Sequence, residues 1–210
     1  MNKSASLEDN KRALDILKKH GIYVQAGFIL FDDNTTFEEL KENYEFLREY
    51  DWIITKGIFS EMFAADGTLY TEKLKKEDKI VKNDVYDNNK YEIVDPKVKL
   101  TYNALKKWHK SHMKLYDMII DPISSPKAID ETGEKSFYDL FYQLKLKDLD
   151  FMKMVLDDVE RGITERELNE KVIAQIIGNS EFYSSINRSG QALCEKYNLN
   201  YDGKENPFIR

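Results

Sequence analysis

Residues 22–31 read Ile-Tyr-Val-Gln-Ala-Gly-Phe-Ile-Leu-Phe, a nearly unbroken apolar run between Gly21 and the polar Asp32-Asp33-Asn34. Such a run predicts a strand buried on both faces, the pattern of a parallel sheet covered by helices. The flanks agree. Ahead of it, Ser6 and Asp9 can open a helix with Ala13, Leu14 and Leu17 on one stripe, and Gly21 stands where a helix-ending glycine belongs. Behind it, Thr35 and Thr36 precede Glu38 and Glu39 by three, which makes a capping box for a helix bearing Phe37, Leu40, Tyr44 and Leu47. A second strand region follows from Trp52 to Phe63, interrupted at Lys56-Gly57. Strand, helix, strand is a βαβ unit, with a right-handed crossover expected.

Two strands alone do not make a stable parallel sheet, and an apolar strand with a bare edge invites another chain. Three outcomes stay open at this point. A second polypeptide supplies the neighbours, the rest of the chain folds over the exposed face, or the gene is a remnant.

Beyond Gly67 the character changes. Thr68 to Asp78 predicts a short helix, and Lys79 to Val94 holds two β-prone stretches around Asp87-Asn88-Asn89, a hairpin pattern. Asp95-Pro96 opens a helix expected to run to about Ile120, before Pro122 and Pro126. Phe137, Leu140, Phe141, Leu144, Leu149, Met152, Val155, Leu156 and Val159 sustain another, closed by Gly162. Thr164 and Glu167 cap a third ending at Gly178, and Phe182, Ile186, Leu193 and Tyr197 mark a fourth. The division expected is 1–78, 79–200 as a mostly helical accessory region, and a disordered tail at 201–210.

Composition closes off several classes. Of 210 residues, 38 are acidic and 32 basic, a net charge of −6 that argues against a dedicated nucleic-acid binder. No apolar run reaches the about 18 residues of a membrane span, and Met1-Asn2-Lys3-Ser4 does not open a signal peptide. The expectation is a cytoplasmic protein without membrane contact. One cysteine, Cys194, excludes an internal disulfide and any multi-cysteine metal site within the chain.

Several ordered segments carry a family resemblance. Residues 13–22, Ala-Leu-Asp-Ile-Leu-Lys-Lys-His-Gly-Ile, resemble the helix that radical S-adenosylmethionine (radical SAM) enzymes place before their fifth strand. Residues 27–36, Gly-Phe-Ile-Leu-Phe-Asp-Asp-Asn-Thr-Thr, look like that strand and its loop. Residues 65–74, Ala-Asp-Gly-Thr-Leu-Tyr-Thr-Glu-Lys-Leu, are similar to the turn after the sixth strand, with Asp66 where the family often has proline. Phe28 to Asp32, together with the segment from Tyr91 to Asp95-Pro96, is closest to the subgroup often fused to a cobalamin-binding domain.

The resemblance implies an α/β fold, the C-terminal portion of a partial (β/α) barrel with two parallel strands, followed by helices. It also implies S-adenosylmethionine and a [4Fe–4S] cluster as cofactors. In the family's Gly-x-Ile-x-Gly-x-x-Glu strand pattern, Gly27 and Ile29 match, while Phe31 and Asn34 replace the second glycine and the glutamate. A glycine lets backbone approach the adenine and an aliphatic side chain packs on its face. Phe31 either adds apolar surface or fills the site. Glu61, Met62 and Phe63 would present backbone to the adenine edge by the same resemblance. The family's Cys-x-x-x-Cys-x-x-Cys loop is absent from the sequence, and thiolate ligation is not readily replaced by other side chains. The chain alone is therefore expected to be inactive. It would be a C-terminal fragment that needs an N-terminal radical SAM half or another protein partner. The alternative is a truncated, non-catalytic interaction module working through its helices.

Other candidates have plainer readings. His109 and His112 have metal-binding spacing but share the seam Val98, Tyr102, Leu105, Tyr116 and Ile119, so packing is expected and no metal is assigned. Lysines 97, 99, 106, 107, 110 and 114 form a solvated face or a dock for an acidic partner. Asp32-Asp33 stands where α/β barrels place their chemistry, although turn formation explains it more simply.

Overall fold

A computed structural model describes residues 6–82, 89–124 and 129–199. Seven helices and one hairpin account for its regular structure: α1 (Leu7–Lys19), α2 (Phe37–Glu49), α3 (Leu69–Lys76), β1 (Ile80–Lys82), β2 (Lys90–Tyr91), α4 (Pro96–Ser124), α5 (Glu131–Glu160), α6 (Glu165–Gly178) and α7 (Ser180–Lys196). The capping signals act as the sequence predicts. Ser6, Thr36 and Thr164 each close a reciprocal box with Asp9, Glu39 and Glu167. Asp95 caps α4 by accepting from the N–H groups of Lys97 and Val98, at 2.8 and 3.1 Å. The helix runs past the predicted stop and carries Pro122 within its last turn. Near a helix end a proline removes a single hydrogen bond, and the buried α5 contact outweighs that loss. The turn of the predicted hairpin and the predicted disordered tail lie outside the described residues.

The expected partial (β/α) barrel does not form. Residues 24–31 and 54–62 run side by side in the same direction, but they meet only at two isolated bridges, Gln25 with Ile54 and Phe31 with Glu61. Six residues separate the bridges on the first segment and seven on the second. The mismatch has a local cause. Gly57 adopts φ +74 and its N–H turns back to the Thr55 carbonyl at 2.9 Å, which kinks the second segment. On the first, Leu30 and Phe31 both donate to the Ser60 carbonyl, as at a bulge. The only sheet among the described residues is the antiparallel pair β1–β2. Burial on both faces fails as well. Leu30 and Phe31 are buried, whereas Ile22, Tyr23 and Ile29 are 50%, 38% and 48% exposed.

The core is built on α4 and α5. They pack antiparallel, with Trp108 stacked on Phe151 at 3.9 Å and Tyr116 meeting Phe141 farther along. α7 lies across both, its Gly190 admitting Met118 where a side chain would collide. α2 covers α5, tied by Lys41–Glu160 at 2.8 Å. Leu30, Phe31, Phe37 and Leu40 belong to the same apolar core as the long helices. The three tethers Tyr138–Trp52, Tyr142–Asp51 and Lys145–Ile53 rise along one face of α5 and hold residues 51–53 against it.

Candidate functional site

The ends of the two extended segments come together at Phe31 and Glu61, and a row of polar side chains gathers there. Asp32 accepts from the Asn34 N–H at 2.9 Å and the Thr35 hydroxyl at 3.0 Å, which is turn chemistry. Asp33 points inward, its carboxylate fully buried, and takes Lys79 at 2.6 Å and Lys73 at 3.5 Å. Burial by itself would raise its pKa; contacts with Lys79, Tyr70 and Lys73 prevail and hold it below the usual carboxylate value.

Tyr70 stands edge-on to Tyr91, whose hydroxyl reaches the carbonyls of Phe31 and Met62 at 3.3 and 3.2 Å. Tyr102 donates to Glu61 at 2.5 Å, and Lys106 donates to the Tyr102 oxygen at 2.7 Å. Lys90 and Lys106 stand 3.5 and 3.8 Å from the same carboxylate. Burial drives the phenols of Tyr70, Tyr91 and Tyr102 well above their ordinary pKa, so at neutral pH each stays a hydrogen-bond donor. Between the hairpin and α4, a groove of 270 Å3 is lined by Glu61, Met62, Ile93, Lys99, Tyr102 and Asn103, among others. That is just below the about 300–1,000 Å3 of small-molecule pockets. It has room for part of a nucleoside-sized ligand, with donors, acceptors and apolar wall together.

The six residues singled out by resemblance do not share one cavity. Glu61 and Met62 line this groove. Phe31 is fully buried, packed against Phe59 and Tyr102 at 5.6 and 5.2 Å, and so fills space in the core. Ile29 lies on a separate shallow groove beside α2. Gly27 faces a cleft beneath α1, with open space where a Cβ would stand. Phe63 is 56% exposed. Tyr70, Lys79, Tyr91 and Tyr102 went unassigned by sequence reasoning as site residues. Their only sequence signal is a scatter of tyrosines and lysines that solvated surfaces also show.

A second polar cluster is sealed in the α4–α5 seam. Asp148, fully buried, accepts from the Trp108 indole N–H at 2.7 Å, the Tyr116 hydroxyl at 2.7 Å and His112 Nε2 at 2.9 Å. Burial opposes its charge, but His112 and these hydrogen bonds keep its pKa below the ordinary value. Tyr183 stacks on the His112 ring at 4.5 Å. His109 packs against Gly57, and burial lowers its pKa. Both histidines thus take the packing role their seam positions predict. The carboxylate partner of His112, on another helix, was invisible to local spacing. Among the described residues, no three His, Cys, Asp or Glu side chains converge to hold a metal ion. Cys194 is buried in α7. No helix among the described residues is long and apolar enough to cross a membrane.

Part of the chain matches a radical SAM family enzyme. That relative is the anaerobic magnesium-protoporphyrin IX monomethyl ester cyclase of Rubrivivax gelatinosus, 34% identical over 105 residues. The alignment covers 47% of this chain and 17% of the cyclase, so the matched stretch is under a fifth of that protein. No family model and no solved structure matches the chain.

Proposed function

We propose that the chain is a portion of a radical SAM family enzyme, and that its Glu61–Met62 groove forms one wall of the S-adenosylmethionine site. The observation that carries this reading is the backbone pairing of Phe31 with Glu61. It sets the end of the first family-like segment behind the second, whose Glu61 and Met62 face a groove where Tyr91, Tyr102 and Asn103 offer hydrogen bonds beside the apolar Ile93. The partial likeness to the cyclase supports the same family.

In that family S-adenosylmethionine and a [4Fe–4S] cluster supply the radical chemistry. One buried thiol does not fit a three-thiolate cluster, so cluster ligands come from another polypeptide segment and no step is routed through them here. On this reading Glu61, held by Tyr102 and flanked by Lys90 and Lys106, accepts hydrogen bonds from the ligand. Met62 and Ile93 exclude water from its apolar face.

Calorimetric titration of S-adenosylmethionine tests this, with the chain alone and with a polypeptide carrying the three-cysteine loop. Binding that weakens in Glu61→Gln and Tyr102→Phe supports the reading. No binding under either condition, by a chain shown to be folded, overturns it. The alternative, an interaction module, is favoured by Ile173 and Ile177, which stand 40% and 66% exposed on α6. It predicts partner binding unaffected by the groove variants.

A further inference from the structure

The outer face of α4 carries a charge opposite to that of the whole chain. From Pro96 to Tyr116 the helix holds six lysines and no acid, within a protein of net charge −6. Lys106 and Lys107 find partners in Tyr102 and Asn169, at 2.7 and 2.8 Å. The side chains of Lys99 and Lys110 make no hydrogen bond or ion pair among the described residues. A positive face on an acidic molecule draws anions to one place.

Two hollows open along that face. One is the 270 Å3 groove that contains Glu61 and Met62. The other, of 780 Å3, lies between α4 and α6 and falls within the about 300–1,000 Å3 of small-molecule pockets. Leu100 and Ala104 from α4, with Leu168 and Val172 from α6, give it an apolar floor. Their spacing of four puts each pair on one face of its helix, so the two stripes meet. Lys107 reaches across to Asn169 on α6, which fixes a cation over this floor. The charged lining residues are Lys107, Arg166 and Glu165, two cations against one anion. Arg166 is 83% exposed and its pair with Glu170 is stretched to 4.0 Å, so its guanidinium can swing to an anion in the hollow. Asn103 lines both hollows, and its side-chain amide makes no hydrogen bond among the described residues.

We propose that the α4–α6 hollow binds a small organic carboxylate. Its apolar body lies over Leu100, Ala104, Leu168 and Val172, its carboxylate meets Lys107 and Arg166, and Asn103 supplies a hydrogen bond. A bare anion leaves the apolar floor uncovered, and an uncharged ligand leaves the cations unused. The single excess positive charge of the lining matches a carboxylate better than a doubly charged phosphate. This site goes beyond the S-adenosylmethionine reading and does not depend on it.

The test is an NMR titration of the full chain with naphthoate, with the neutral naphthamide and with inorganic phosphate, at about 0.15 M salt so that distant exposed charges are screened. Naphthoate should bind about tenfold tighter than naphthamide and shift the side-chain amides of Asn103 and Asn169. Lys107→Gln with Arg166→Gln changes two exposed residues. The pair should remove that preference while leaving the affinity for naphthamide unchanged. Lys110→Gln, outside the lining, should alter naphthoate binding by less than about twofold. Equal binding of naphthoate and naphthamide, or no binding of either, overturns the proposal. Phosphate that shifts the same amides as tightly as naphthoate also overturns it, in favour of a bare-anion site. An equal loss in the Lys110 variant overturns it in favour of attraction to the whole basic face.

Discussion

Along the α4–α5 seam both carboxylate oxygens of Asp148 meet partners, and Trp108, His112, Tyr116 and Tyr183 around it are at most 1% exposed. Across α1 and residues 22–29 the chain lies half-exposed, with a helix that has no fully buried residue, only Leu14 and Leu17 partly covered, and a backbone edge that pairs with nothing among the described residues. Both regions carry strong local signals. The difference is the number of neighbours. The two long helices find one another over about 30 residues each and gain α2, α6 and α7 as further cover. The extended segment finds one irregular neighbour on one side. Apolar patterning states what a segment needs, whereas burial depends on whether something else arrives to cover it.

Breaking the sealed region should cost most. Asp148→Ala leaves the indole, imidazole and phenol donors unpaired in a dry seam, and we expect a loss of about 3–5 kcal/mol in urea unfolding. Asp148→Asn, which keeps an acceptor, should lose less. If Asp148→Ala matches wild type, the seam is not the stable half.

Lys145, 1% exposed, donates to the Ile53 carbonyl at 2.5 Å, and burial pushes its pKa down to about 8. Its folded value lies below the unfolded one of 10.5, so the unfolded chain binds the extra proton between them. The cost of holding this lysine charged is therefore fully present below pH 8 and fades as pH rises toward 10.5. It amounts to about 3 kcal/mol over that window. Lys145→Met should flatten the gain in stability from pH 8 to 10 relative to wild type, as read by urea midpoints at each pH. An unchanged slope would place the lysine in contact with solvent.

Gly57 sharpens the comparison at the junction of the two regions. Its φ of +74 and the His109 ring packed against it both oppose a side chain. Gly57→Ala should cost about 1–3 kcal/mol and loosen the kink between the two bridges. Thermal unfolding, with exchange at the Ile54 amide as a local probe, reads both effects.

The smallest effect is expected at the open region. Removing residues 6–20 should shift the unfolding midpoint by an amount equivalent to under about 1 kcal/mol, because no α1 side chain is buried. Amides of α1 in the full chain should exchange far faster than those of α4. A large loss on removal would mean that α1 closes on the cleft in solution.

Helices were the most legible part of the chain, since a capping box and a 3.6-residue stripe are written in neighbouring residues. Thr36 with Glu39 and Thr164 with Glu167 form the bonds that their spacing predicts. The barrel expectation fails because Ile22–Phe31 has a buried strand's composition, while the interruption visible at Lys56-Gly57 does not reveal that Gly57 takes φ +74 and kinks the second segment out of register. Of the six residues that the resemblance singled out, Glu61 and Met62 line the groove and Gly27, Ile29, Phe31 and Phe63 do not. Tyr91 and Tyr102 became its walls only when the hairpin and α4 met.

By itself the sequence determined where helices begin, which faces the two long helices bury, and that the chain holds a single cysteine. These follow from short-range hydrogen bonding and atom inventory. Tertiary structure decided which segments become partners. It took His112 to Asp148 across two helices, set Phe31 in the core, and left Gln25, Gly27 and Ile29 facing outward. Such choices depend on long-range packing, in which each contact competes with every other surface the chain can bury.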